Sequence, residues 1–198
     1  DVDMKIILVG AGSIGGTTAT LMKEGGYDVD VIEANAERSK KISTEGISLT
    51  GALGNHTQKF RTYNSIDELT ETYDVCIIAT KYFALGAVAQ AMLPHVKKDG
   101  LFVCMQNGIC TKILSDVVGV DNAVGCMIGF GATMLPNGDV NVTSGGEFKI
   151  GRVNGKIDAK IEELCKAYSC VLPTKVVTNI DAQLYSKLII NSCINSIA

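Results

Sequence analysis

Residues 6–15 read Ile6-Ile7-Leu8-Val9-Gly10-Ala11-Gly12-Ser13-Ile14-Gly15, an apolar run that enters three glycines and then a helix-like segment. That order is the signature of a phosphate-binding turn between a buried strand and a helix. Gly10 permits the tight turn, Gly12 lets a pyrophosphate approach the backbone, and Gly15 lets the helix pack close to the strand. Ala11, Ser13 and Ile14 belong to the same cradle, because its binding groups are backbone N–H donors at a helix start and not charged side chains. The following helix is predicted over residues 14–24. Asp28 to Glu33 then forms a second apolar strand closed by a carboxylate, which is where an adenosine ribose is normally held. Glu33 there would accept from ribose hydroxyls and repel a 2′-phosphate, which favours NAD. Arg38, one turn into the next predicted helix (residues 36–42), is within reach of a 2′-phosphate if Glu33 turns away. Both readings stand.

The 198 residues are 46% hydrophobic, enough for one sizeable core or for one domain plus part of another. The net charge of -3, with scattered Lys and Arg, gives no footprint for nucleic acid or an anionic membrane. No apolar run is long enough to span a bilayer, and no signal-peptide pattern follows the start. Asp1-Val2-Asp3 ahead of Met4 reads as a remnant before the natural start. There are seven cysteines without a C-x-x-C spacing, and only His56 and His95 as imidazoles. This argues against zinc and for a reducing, cytoplasmic setting. Cys76, Cys104, Cys126 and Cys193 sit in apolar segments and read as buried thiols.

Residues 46–50 and 57–63 read as a hairpin inserted after the first βαβ unit, with His56 a surface imidazole. Ser65 caps a short helix. Residues 73–80 form a continuous apolar strand ending at Lys81, which is either a cofactor contact at a strand's carboxyl end or a solvated lysine. A helix over 83–93, a strand over 100–105, a helix over 109–117 and a strand over 122–127 complete the pattern. The fold class is α/β, a Rossmann-type doubly wound and mostly parallel sheet. Asn107, in the turn Gln106-Asn107-Gly108, is either ordinary turn chemistry or an amide beside the nicotinamide. Segments 130–134, 139–143 and 147–151 are expected as antiparallel additions to the sheet, followed by a helix over 157–168 and a strand over 174–178. The last helix, 181–198, carries Lys187, Asn191 and Asn195 at intervals of four on one stripe among Leu184, Leu188, Ile189, Ile190 and Ile194. That stripe either lines a cleft or faces water.

Taken together, Gly10-x-Gly12-x-x-Gly15, Thr80-Lys81, Gln106-Asn107-Gly108, Asn137-Gly138-Asp139-Val140 with Ile150-Gly151, and Lys187-Leu188-x-x-Asn191-x-x-x-Asn195 resemble the N-terminal portion of the ketopantoate reductase (2-dehydropantoate 2-reductase) family. The resemblance implies reduction of a small 2-oxo acid. Lys187 would be the proton donor, Asn191 and Asn195 would hold substrate, and Asn107 would touch both substrate and the nicotinamide ribose. Lys81, and a residue near Met134, would contact the cofactor. NADP is the cofactor the family implies, whereas Glu33 stands where members commonly carry a basic residue and makes NAD possible. Residues 1–178 would be the dinucleotide-binding domain and 179–198 the start of a truncated, all-α second domain, which in the family supplies a serine and a glutamate. A fragment of this kind is expected to bind nucleotide with little turnover, and its bared apolar helix face is expected to favour a homodimer. The alternatives are a reductase of another 2-oxo acid and a nucleotide-sensing domain without chemistry.

Overall fold

The computed structural model describes residues 3–196; Asp1 and Val2, expected as part of a remnant, and Ile197 and Ala198, of the predicted last helix, lie outside the described residues. The first half of the chain forms β1 (Lys5–Val9), α1 (Ser13–Glu24), β2 (Asp28–Ile32), α2 (Ala36–Thr44), β3 (Ile47–Gly51), β4 (His56–Gln58), β5 (Thr62–Tyr63), β6 (Tyr73–Ile78), α3 (Leu85–Met92) and β7 (Val96–Cys104). There follow α4 (Thr111–Val118), β8 (Ala123–Met127), β9 (Gly131–Met134), β10 (Val140–Ser144), β11 (Phe148–Arg152), α5 (Ala159–Ser169), β12 (Thr174–Val176) and α6 (Ile180–Asn195).

The central sheet has eight strands in the order β12-β11-β8-β7-β6-β1-β2-β5, and every pair is parallel except β11 with β8. This is the mostly parallel, doubly wound α/β sheet expected. Its middle strands are apolar throughout because successive side chains feed two cores. Ile6, Leu8, Val75, Ile77, Leu101 and Val103 face α1, α5 and β3, while Ile7, Val9, Cys76, Ile78, Phe102 and Cys104 face α3 and α4. Each of the Val, Leu, Ile and Phe side chains among them, fully buried, contributes about 1.5–3 kcal/mol.

Two expectations need correction. Residues 130–134 and 139–143 do not extend the central sheet. As β9 and β10 they join β3 and β4 in a separate four-stranded sheet, in which β3 runs parallel to β10. Ile47, Leu49, Val140 and Val142 are thereby buried in the α1-side core, so α1 is enclosed between two sheets and is buried from Gly15 through Met22. The predicted strand 57–63 divides. His56–Gln58 pairs with β3, whereas Thr62–Tyr63 crosses at buried Phe60 to lie parallel with β2. The expected antiparallel strand β11 and the hairpin β3–β4 are present.

Smaller differences follow from burial and capping. Ile157 is 48% exposed and precedes α5, because Asp158 accepts from Ile161 N–H and starts the helix there. Cys76, Cys104 and Cys126 are buried, but Cys193 is exposed on α6. His56 is half-buried and structural: Nδ1 lies 2.8 Å from Glu24 Oε2 and Nε2 lies 2.8 Å from the Leu53 carbonyl, tying the hairpin to the end of α1. The Leu53 bond is the main reason its pKa is raised above 6.5. Because the folded value is the higher one, this stabilisation is complete below about pH 6.5 and is lost as pH rises through the folded pKa. Unfolding midpoints measured across that range should therefore fall more for the native chain than for His56→Gln; parallel curves contradict the assignment.

Candidate active site

At the glycine turn, steric contact explains two of the three glycines. Gly10 has φ 96°, and a Cβ there would lie 2.9 Å from the backbone of Ala79 and Thr80. A Cβ on Gly15 would lie 2.2 Å from the Gly10 carbonyl oxygen and 2.9 Å from Ala79 Cβ. Gly12 is different, since nothing lies within 4 Å of where its Cβ would be. It caps α1 without a side chain, and the first bond into the helix is Gly16 N–H to Gly12 O at 2.7 Å. The N–H groups of Ser13, Ile14 and Gly15 therefore have no earlier carbonyl to bond within the helix. No acidic residue stands in this first turn. An open, uncharged helix start with free donors fits a pyrophosphate.

Beside it, a cleft of about 570 Å³ is lined by Gly10, Ile32, Glu33, Asn64, Thr80 and exposed Lys81. Glu33 and Arg38 are paired: Arg38 Nε donates to Glu33 Oε2 at 3.2 Å, and Asn35 N–H donates to Glu33 Oε1 at 3.0 Å. Arg38 also donates to the carbonyls of Gly138, at 3.0 Å, and of Ala11. Met134 lines a groove with Arg38 and Gly138 between α2 and the β9–β10 turn, and is not part of the Lys81 cleft.

At the carboxyl ends of β7 and β8 a smaller cleft, of about 70 Å³, brings together Gln106, Asn107, Cys126, Lys187, Leu188 and Asn191. Its geometry depends on how α6 starts. Ile180 seats in a notch left by two glycines: a Cβ on Gly125 would lie 2.8 Å from Ile180 Cγ1, and one on Gly151 would lie 3.2 Å from Ile180 Cβ. Thr111 Oγ1 donates to Asp181 at 2.5 Å, and Lys149 Nζ to Gln183 at 3.0 Å. Two turns on, Lys187 is half-buried and its Nζ donates to the Ile128 carbonyl, just beyond β8. Burial lowers its pKa below 10.5, with the nearby Cys126 acting in the opposite sense. Asn195 is exposed and lies outside this cleft, so the structure gathers Lys187, Asn191 and Asn107 but not Asn195.

Gln106 is the residue that sequence reasoning passed over. It is 5% exposed, and its Nε2 donates to the carbonyls of Ile78 and Thr80, both at 3.2 Å, clamping the segment before Lys81 to the one before Asn107. The signal was a polar residue directly after a buried strand. A further concavity of about 590 Å³, at the opposite end of the sheet by Tyr27, Asp74 and Lys160, is lined by charges already paired, Lys160 with Asp99 and Lys166 with Glu163. Among the described residues no cluster of metal-ligating side chains occurs.

A glycine turn at the head of a doubly wound sheet, with a lysine and two amides at the carboxyl ends of its strands, defines a Rossmann-type domain. More narrowly, the chain belongs to the ketopantoate reductase PanE/ApbA family, whose model matches residues 6–155. It is 29% identical over 196 residues to the 2-dehydropantoate 2-reductase of Pyrococcus abyssi, an alignment that covers 98% of this chain and 63% of that protein. The crystal structure of 2-dehydropantoate 2-reductase from Geobacter metallireducens superposes with a TM-score of 0.86 at 20% identity, covering 95% of this chain and 62% of that one. D-mandelate dehydrogenase, in its ternary structure with NADH and anilino(oxo)acetate, gives 0.81 at 24% identity, covering 93% and 60%. Both share the fold. The chain spans about three fifths of the length of the curated relatives it matches.

The burial of Lys187 has a direct readout. With lysines reductively methylated using a carbon-13 label, its NMR signal, assigned by loss in Lys187→Met, should titrate below those of the surface lysines. A signal that titrates with the rest contradicts the burial argument.

Proposed function

We propose that this chain is the cofactor-binding portion of an NAD(P)H-dependent reductase of 2-oxo acids. The substrate proposed is 2-dehydropantoate (ketopantoate), reduced to pantoate on the route to pantothenate and coenzyme A. The observation that carries the reading is the half-buried Lys187 beside Asn107 and Asn191, at the same end of the sheet as the glycine turn. Residues 1–178 are taken as the nucleotide-binding domain and 179–198 as the opening of a helical substrate domain. The departure of α6 from the sheet supports that division, with Ile189, Ile190 and Ile194 about 60% exposed.

In this reading the backbone donors of Gly12 to Gly15 hold the pyrophosphate, Glu33 or Arg38 meets the adenosine ribose, Lys81 contacts the cofactor from the same cleft as Glu33, and Asn107 meets the nicotinamide ribose. The nicotinamide supplies the hydride. Lys187 donates a hydrogen bond to the substrate ketone, stabilises the alkoxide as it forms and delivers its proton there. Burial of the ammonium favours that delivery, since a lowered pKa makes it a stronger acid. Asn191, in the cleft, helps hold the acid, and Asn195, exposed one turn further along α6, is left to meet it from the side of the helical domain. The cofactor is NADPH on the family resemblance and NADH on the charge of Glu33.

General acid catalysis typically contributes about 10²–10⁴-fold. Lys187→Ala in the full-length polypeptide should therefore lower turnover of ketopantoate by at least about 100-fold, with nucleotide affinity within about threefold of native. Turnover within a few-fold of native removes Lys187 from the reaction. No oxidation of NADH or NADPH with any 2-oxo acid favours a nucleotide-sensing domain instead.

A further inference from the structure

The end of β2 offers an adenosine ribose two opposite charges, and here they are bound to each other. Arg38 uses three separate nitrogens: Nε for Glu33, one terminal nitrogen for the Gly138 carbonyl and the other for the Ala11 carbonyl inside the glycine turn. The side chains of the pair are only 16% and 15% exposed. The β9–β10 turn is shaped around the guanidinium, because Gly138 has φ 85° and a Cβ on it would lie 2.8 Å from Arg38 Nη1. Lys41 Nζ, 2.8 Å from Asp139 Oδ1, ties α2 to the same turn a second time.

We infer that Arg38 is a latch that makes this chain select NADH over NADPH, an inference that rests on the glycine turn being a cofactor site. Arg38 already commits three of its five N–H donors to Glu33 and two backbone carbonyls, so a 2′-phosphate taking the other two would share the guanidinium with the Glu33 carboxylate, and like charges so juxtaposed are strongly unfavourable. A free 2′-hydroxyl brings no such charge. A carboxylate has about four lone-pair sites, and two protein donors, Arg38 Nε and Asn35 N–H, reach Glu33. Glu33 can therefore accept the ribose hydroxyls with the latch closed. The guanidinium then serves as a positioning residue that holds Glu33, the glycine turn and the β9–β10 turn in one register.

The test is equilibrium titration of the protein with NADH and with NADPH, followed by fluorescence. The native chain should bind NADH at least about tenfold more tightly, equivalent to about 1.4 kcal/mol. Glu33→Gln, isosteric and uncharged, removes the charge that opposes a 2′-phosphate and should tighten NADPH by about tenfold or more, closing the gap with NADH. Arg38→Ala, whose folding is checked by its thermal melt, should weaken NADH, because Glu33 and the glycine turn lose their common support, and should weaken NADPH by no greater factor. The inference is overturned if the native chain binds NADPH as tightly as NADH, or if Glu33→Gln leaves the ratio unchanged. It is equally overturned if Arg38→Ala weakens NADPH selectively, which would make Arg38 a phosphate clamp. Failure of the native chain to bind either nucleotide overturns the cofactor reading itself, and this inference with it.

Discussion

Contact between backbones at the head of α1 is the constraint on which the rest depends. The helix starts where Gly15 meets the Gly10 carbonyl and Gly10 meets Ala79 and Thr80, with no room at either glycine for a Cβ. That closeness lets β1 and β6 lie side by side while α1 crosses directly above them, and it aims the first unpaired N–H groups at the carboxyl edge of the sheet. Small residues continue the theme along the helix. Gly16, Thr17, Thr18, Ala19 and Thr20 let it be covered by a second sheet on its far side, and Thr17 and Thr18 satisfy their buried hydroxyls on the carbonyls four residues back.

A second close approach governs the other half of the site. Gly125 and Gly151 leave a notch for Ile180, which fixes where α6 departs from the sheet and so where Lys187 arrives. Lys187 is the one member of its polar stripe partly withdrawn from water, and from Leu188 onward the helix is exposed on every side. Withdrawing an ammonium disfavours its charged form. On the proposed reading, that lowered hold on the proton suits a general acid.

Much of this was legible in the sequence, because it is local. The glycine spacing, the apolar runs at β1, β6, β7 and β8, and the four-residue interval of the last helix each report on neighbours a turn or a strand away. What escaped was non-local. The parallel pairing of β3 with β10 joins segments far apart in the chain, and nothing in either short alternating run names its partner. The three acceptors of Arg38 come from three different loops, which its position one turn into α2 could not foretell. Asn195 shared the helical spacing of Lys187, but spacing alone does not say where a helix leaves the sheet that would cover it.

The central claim is that the glycine turn and Lys187 belong to one site, joined by a bound nicotinamide dinucleotide. A crystal structure of the protein with the reduced cofactor tests it most directly. The account predicts the pyrophosphate on the N–H groups of Gly12 to Gly15 and the nicotinamide ring between Asn107 and Lys187. A nucleotide bound at the opposite end of the sheet by Tyr27, or one whose nicotinamide lies away from Lys187, would contradict it.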